Sequence, residues 1–204
     1  MKVTRYFQSC ILIEEGEVRI LIDPSGQEKG RVGDFGKLDA ILYTHEHMDH
    51  FEPDLAQQFA DAGVTVYANA STAKQAKSPP QVVTDGQELD IKGLKVQARE
   101  LPHCLLVDGS TSVQNTGYLV ADKLFHPGDG KELAGLQVDT LATPLSGPDI
   151  SAHDAFAFAK QVSAKNVIPI HYDFLGGNPD FFASTVDKNG MKTHTLKLGE
   201  STEI

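Results

Sequence analysis

The chain has 204 residues, of which 40% are hydrophobic and 23% charged, a balance that suits a folded globular protein and excludes a disordered polyelectrolyte. Its formal net charge of −10 disfavours loose binding to nucleic-acid phosphates, which draws on counterion release by Lys and Arg, although bound metal ions would add local positive charge that this count omits. Two cysteines, Cys10 and Cys104, exclude a disulfide-built scaffold, and no apolar run approaches the roughly 20 residues of a membrane span; a soluble, cytoplasmic chain with one domain over 1–204 is expected.

In chain order, residues 1–7 alternate like a strand, and 10–23 read as a hairpin turning at Glu15-Gly16. Asp23-Pro24-Ser25-Gly26 ends the second strand; 26–36 is rich in glycine and charge and reads as a loop, and 39–44 resumes a buried strand. Residues 53–62 open on a proline and space Leu55, Phe59 and Ala62 for a helix, with a strand following over 64–68. Short β runs at 81–83, 89–91 and 94–101, divided by Asp85-Gly86 and Lys92-Gly93, suggest a meander. A further hairpin spans 116–120 and 123–125 across Ala121-Asp122, and His126-Pro127-Gly128-Asp129-Gly130 makes a tight polar turn. Ser151 caps an amphipathic helix over 151–163, and the strand over 166–170 ends at His171. A short helix near 179–186 and a closing strand over 193–198 complete the series. Meanders mixed with β-α-β units indicate an α+β fold of two sheets packed on each other and covered by helices.

Chemistry concentrates at His45-Glu46-His47-Met48-Asp49-His50, directly after the strand over 39–44. In an extended backbone alternate side chains share a face, so His45 and His47 reach a common ion while a turn re-aims Asp49 and His50. One such motif cannot saturate two ions, because zinc takes about four donors and a catalytic site keeps one position for water or substrate. His103, Asp129 and His171, each just after a predicted strand, are the candidates for the remainder.

Taken in order, Asp23, the cluster at 45–50, His103, Asp129 and His171 resemble the metallo-β-lactamase superfamily of hydrolases over essentially the whole chain. The resemblance implies a four-layer αββα sandwich and two divalent ions, one held by His45, His47 and His103, the other by Asp49, His50 and His171, with Asp129 bridging them. Asp23 is expected to support the site rather than bind metal. It further implies a hydroxide shared by the ions as nucleophile, with Asp49 accepting its hydrogen bond in a catalytic role. Five histidines and two carboxylates suit zinc, and manganese or iron accept the same donors. True β-lactamases of this fold commonly carry cysteine where Asp129 stands, and flavodiiron oxidases an acidic residue where His47 stands, so antibiotic hydrolysis and redox chemistry are disfavoured. The glycine, leucine and valine of Gly93-Leu94-Lys95-Val96 before His103, the stretch Pro169-Ile170-His171-Tyr172 and the helix before it are most similar to the compact branch that includes L-ascorbate-phosphate lactonase. A small lactone, ester or amide, phosphorylated or not, is the expected substrate; a phosphodiesterase or nuclease using the same centre is the alternative.

Other residues have both a plain and a functional reading. His126 is a turn histidine or a contact to substrate or leaving group, and Tyr172 either packs near the second ion or aims its hydroxyl at substrate. Gly176-Gly177-Asn178 is a turn or a pocket rim. His153 and His194 fit exposed positions, and Phe156, Phe158, Phe181 and Phe182 fit core or interface.

Overall fold

Alternating branched apolar residues sort themselves onto two faces of each strand, and that sorting creates the layers. In β2 (Ile11–Glu15) and β3 (Val18–Ile22), Ile11, Ile13, Ile20 and Ile22 point to one core while Leu12 and Leu21 point to another. The same split recurs in β9 (Thr116–Val120), where Tyr118 and Val120 face inward and Leu119 outward, and in β12 (Asn166–Ile170), where Ile168 and Ile170 oppose Val167. Strands buried on both faces need cover on both, and helices supply it.

The computed structural model describes residues 1–110 and 113–204. Its first sheet is ordered β14-β1-β2-β3-β4-β5-β6, adding β1 (Lys2–Arg5), β4 (Ala40–Tyr43), β5 (Thr65–Ala68), β6 (Gln81–Val82) and β14 (Ser201–Glu203). The second is ordered β13-β12-β11-β10-β9-β8-β7, adding β7 (Glu88–Ile91), β8 (Leu94–Glu100), β10 (Leu124–His126), β11 (Thr140–Pro144) and β13 (Lys192–Thr193). Both are mixed: antiparallel pairings from β14 to β3 and from β7 to β10 give way to parallel ones beyond.

One core lies between the sheets, where Val3, Ile13 and Ile22 meet Val96, Tyr118 and Ile168. A second packs α1 (Pro53–Asp61), through Leu55 and Phe59, on Leu21 and Ile41. A third packs α3 (Ala152–Gln161) and α4 (Pro179–Lys188), through Phe158 and Phe182, on Leu141 and Val167. The result is the four-layer αββα sandwich of the α+β class expected from the sequence. Each fully buried aliphatic side chain in these cores stabilises by about 1.5–3 kcal/mol relative to exposure.

Local differences from the sequence reading have identifiable causes. Residues 26–36 are not an open loop: Gly26–Phe35 is a 3₁₀ run capped by Ser25 and Glu28, whose side chains satisfy each other's backbone in a capping box. No element was assigned over 131–150, yet β11 lies there between β10 and β12; its mix of Thr, Ala and Pro hides a strand that burial on both faces enforces. The closing strand expected over 193–198 is not formed: only Thr193 is strand, as the end of β13, and after a turn at Gly199, whose φ of 80° suits glycine, β14 follows at Ser201–Glu203 in the other sheet. His194 is buried, not exposed, and bonds Asn166 and Thr202. Phe158 and Phe182 are core, whereas Phe181 is exposed.

Candidate metal centre

Every predicted site residue of the centre follows the C-terminal end of a strand. Asp23 follows β3, the 45–50 segment follows β4, His103 comes shortly after β8, Asp129 after β10, and His171 directly after β12. Asp23 and His171 both adopt the left-handed backbone region, at φ 52° and 55°. That geometry is uncommon away from glycine, costs of order 1–3 kcal/mol, and persists where the surroundings over-determine it. It turns each side chain off its strand and into the gap between the sheets. Beyond His45 the chain turns, with the N–H groups of His50 and Phe51 both donating to the His47 carbonyl at 2.9 and 2.8 Å, so Asp49 and His50 are re-aimed as the spacing predicts.

The ligand atoms form two sets, His45, His47, His103 and Asp129 on one side and Asp49, His50 and His171 on the other, with the atoms of each set within 4.8 Å of one another. Asp129 faces both. Its Oδ2 lies 3.5 Å from His103 Nε2 and 4.0 Å from His45 Nε2, while its Oδ1 lies 3.2 Å from His50 Nε2 and 3.5 Å from His171 Nε2. His45, His50, His103, Asp129 and His171 are buried; His47 and Asp49 are partly exposed.

Four of the rings are held by hydrogen bonds at the far nitrogen, and His171 is also bonded through Nε2 to Asp49 Oδ2 at 3.1 Å. His50 Nδ1 meets Asp23 Oδ2 at 2.8 Å, His45 Nδ1 meets Thr44 Oγ1 at 3.0 Å, and His103 and His171 Nδ1 meet the carbonyls of Cys104 and Ser146, both at 2.6 Å. Protons held at Nδ1 leave Nε2 lone pairs aimed inward. The Nε2 atoms of His45, His50 and His103 and Oδ1 of Asp129 are buried with no hydrogen-bond partner. Such orphaned polar atoms are costly in a native interior, and a cluster of converging lone pairs is the donor set that a cation satisfies. The residues therefore fit metal.

Asp23 is the keystone behind this face. It accepts from the Thr44 N–H at 2.8 Å and the Thr44 hydroxyl at 2.7 Å as well as from His50. Glu46, which lies within the motif, points the other way and accepts from Ser71 and, at 3.3 Å, from Thr72 in α2 (Ala70–Ala73). Asn69, capping that helix, donates to the Thr44 carbonyl at 2.8 Å. The motif's backbone is thus braced on both sides.

Charge within the cluster is strongly coupled. Burial would raise the Asp129 carboxyl pKa, but His171 and His50 beside it hold it well below the ordinary range. Burial, together with neighbouring His50, pushes His45 well below the usual imidazole value. Burial also raises the thiol of Cys104 to about 12, with Asp129 adding to the effect, so this cysteine stays protonated despite following a ligand position.

His126 and Tyr172, each with a plain and a functional reading in the sequence, take the plain one. His126 is fully buried, its Nε2 donating to the Ser9 carbonyl at 2.8 Å and its Nδ1 accepting the Gly128 N–H at 3.2 Å, so neither nitrogen is free for substrate. The Tyr172 hydroxyl donates to the Leu196 carbonyl at 3.1 Å, with the Arg5 guanidinium over its ring, and does not line the pocket. Burial lowers the His126 pKa from 6.5. A histidine with a folded pKa below its unfolded value contributes stability that is present above about pH 6.5 and lost as pH falls through the folded pKa. Chemical denaturation at a series of pH values is expected to show a shallower loss as pH falls below about 6.5 in His126→Gln, whose amide keeps a donor and an acceptor, than in the parent chain.

Sequence reasoning missed the pocket walls. A cavity of about 200 Å³ opens over His47, Asp49, His103, Asp129 and His171, walled by Phe7, Met48, Leu106, Pro148, Phe174 and Leu175. The rim is Phe174-Leu175, 71% and 50% exposed, rather than the glycines at 176 and 177; the available signal was an apolar pair directly before Gly176-Gly177-Asn178. Gln8, bonded to Asp49, was missed as well, because one glutamine between two strands carries no motif.

The family model for the β-lactamase superfamily domain matches residues 2–171, which spans Asp23 and every ligand position through His171. The chain belongs to the metallo-β-lactamase superfamily. It is similar to protein Rv0786c of Mycobacterium tuberculosis, 35% identical over 84% of either chain. It is also similar to a UPF0173 metal-dependent hydrolase of Rubrobacter xylanophilus, 28% identical over 93% of this chain and 90% of the relative. Among solved structures, Igni18, described as a novel metallo hydrolase from Ignicoccus hospitalis, superposes with a TM-score of 0.81 at 22% identity, over 100% of this chain and 98% of that one. The chain is a metal-dependent hydrolase of this superfamily. No helix among the described residues is long and apolar enough to cross a membrane.

Proposed function

We propose that the chain, as one domain over 1–204, is a dinuclear hydrolase of small, neutral lactones, esters or amides. The observation that carries this reading is the division of Asp129, one carboxylate oxygen toward each histidine set. On it, His45, His47 and His103 hold one ion, Asp49, His50 and His171 the other, and Asp129 spans both. Five imidazoles with two carboxylates favour zinc over harder ions, with manganese or iron as substitutes. When bound, such ions supply Lewis acidity and make water nucleophilic near neutral pH.

The chain's own residues do the rest. Asp49 lies on the pocket floor with its carboxylate partly open to solvent and is held well below the usual carboxylate range, where burial is outweighed by its contacts with His171 and His50. It stays an anion, able to accept the hydrogen bond of an attacking water. The buried Nδ1 hydrogen bonds fix the rings in orientation with Nε2 directed inward, and the apolar walls exclude bulk water.

The walls also support a choice of substrate class. Among the described residues, no Lys or Arg lines the cavity, so a phosphoryl group would find no protein cation there, whereas an alkyl or aryl group meets Met48, Leu106 and Phe174. This favours unphosphorylated, apolar-flanked carbonyl substrates over phosphorylated lactones, phosphodiesters and nucleic acid.

Elemental analysis of protein purified without chelator, combined with hydrolysis of paired neutral and phosphorylated lactones, tests the reading. Two ions per chain and a higher kcat/KM on the neutral partner are expected; near-zero metal, or preference for the phosphorylated partner, would overturn it. Phe174→Ala should raise KM with kcat nearly unchanged, since it removes contact with the unreacting part of the substrate. A fall in kcat at constant KM would place Phe174 in the chemistry instead.

A further inference from the structure

Gln8 sits in the bend between β1 and β2, fully buried, with φ at 53° in the left-handed region. A residue with a Cβ holds that conformation when its neighbours demand it, and every polar group of Gln8 is engaged. Its N–H donates to Asp173 Oδ2 at 2.8 Å, and its carbonyl accepts the His171 N–H at 2.9 Å. Its side-chain Oε1 accepts the N–H groups of Asp173 and Phe174, both at 2.9 Å. Its Nε2 donates to Asp49 Oδ2 at 3.3 Å.

This one residue therefore joins the backbone of a predicted ligand, His171, the carboxylate of another, Asp49, and the start of the apolar rim, Phe174. Among the described residues, the other hydrogen-bond partner of the Asp49 carboxylate is Nε2 of His171, at 3.1 Å. That nitrogen belongs to the inward-facing donor set, so the Gln8 amide is the contact left to orient Asp49 when His171 serves as a ligand. Orientation matters because the Asp49 side chain is partly exposed and otherwise free to rotate. The arrangement is anchored from behind: buried Arg5 pairs with Asp173 and lies 4.1 Å from the Tyr172 ring centroid. A planar amide is the side chain of this length that offers an acceptor and a donor together.

We propose that Gln8 is a positioning residue for the second ligand set, orienting Asp49 through its amide N–H and holding His171 and the Phe174 rim in place through its remaining contacts. This rests on the reading that Asp49, His50 and His171 hold an ion. Calorimetric metal titration of the metal-free full chain, with thermal melting in parallel, tests it. Gln8→Met keeps the volume and loses the amide; Gln8→Glu keeps the acceptor for the Asp173 and Phe174 N–H groups and loses the donor.

Zinc titration of the parent chain should show two ions. Both variants should retain the first affinity and lose about 10- to 100-fold in the second, the usual effect of removing a group that orients a ligand. Gln8→Glu should melt closer to the parent chain than Gln8→Met does, which separates loss of positioning from loss of fold. Either variant binding both ions with parental affinity overturns the assignment of Gln8 alone. A parent chain that takes up fewer than two ions overturns the dinuclear reading, and the assignment with it.

Discussion

Asp129→Ala is expected to deplete both ions and abolish hydrolysis together. No other side chain of the cluster faces both sets, with Oδ1 3.2 Å from His50 Nε2 and Oδ2 3.5 Å from His103 Nε2. Without it, buried imidazoles face one another with no anion between them, and two adjacent cations would repel across the gap unscreened. Metal content should fall below one ion per chain, and kcat at saturating added zinc should drop by about a thousandfold or more, the upper range for losing a single preorganised contact. Asp129→Asn keeps the volume and should behave similarly, because an amide cannot offer a charged oxygen to each side. Parental activity with parental metal content in Asp129→Ala would refute the shared-carboxylate centre.

The second large effect should come from a residue outside the two ligand sets. Asp23→Ala strands the Thr44 N–H, the Thr44 hydroxyl and the His50 Nδ1–H, three buried donors that the carboxylate now satisfies. At about 1–3 kcal/mol for each buried donor left unpaired, with partial relaxation, the loss is about 3–5 kcal/mol. For a chain of this size that lowers Tm by roughly 10 °C, measurable on the metal-free protein, where metal affinity plays no part.

Asp23→Asn separates support of the fold from support of the site. Its amide can keep the Thr44 N–H bond, but its NH₂ facing His50 Nδ1 would favour the tautomer with the proton on Nε2, the nitrogen needed for metal. The fold should survive better than in Asp23→Ala, while affinity at the Asp49, His50 and His171 set falls about 10- to 100-fold. A variant that melts like the parent and binds both ions like the parent would show that Asp23 does not act through His50.

Much of this protein was legible in its residues because the relevant signals are local. Period-two alternation in 10–23 and 166–170 marks strands, Pro53 and Ser151 mark helix starts, and three histidines in the six positions 45–50 mark a metal motif. Even the missed capped segment carried a local signature, Ser25 with Glu28. Strand-end position then marked His103, Asp129 and His171 as candidate partners, the family resemblance divided them between two ions, and the structure brings them to the same place.

What the sequence could not determine depends on groups far apart in the chain meeting across the fold. His126 and Tyr172 sit beside ligand positions in sequence but spend their polar atoms on Ser9, Gly128 and Leu196, so proximity along the chain misled. Gln8 and Asp173 lie 165 residues apart and meet because β1 and the end of β12 converge. The strand β11 exists because both its faces are covered, and the absence of Lys and Arg from the described pocket walls emerges when loops from both sheets assemble over the centre. The residues of 1–204 by themselves determined the fold class, the donors and their order. Only the packing of the two sheets decided which oxygen of Asp129 faces which set, because that orientation is held by nonlocal contacts that no window of sequence contains.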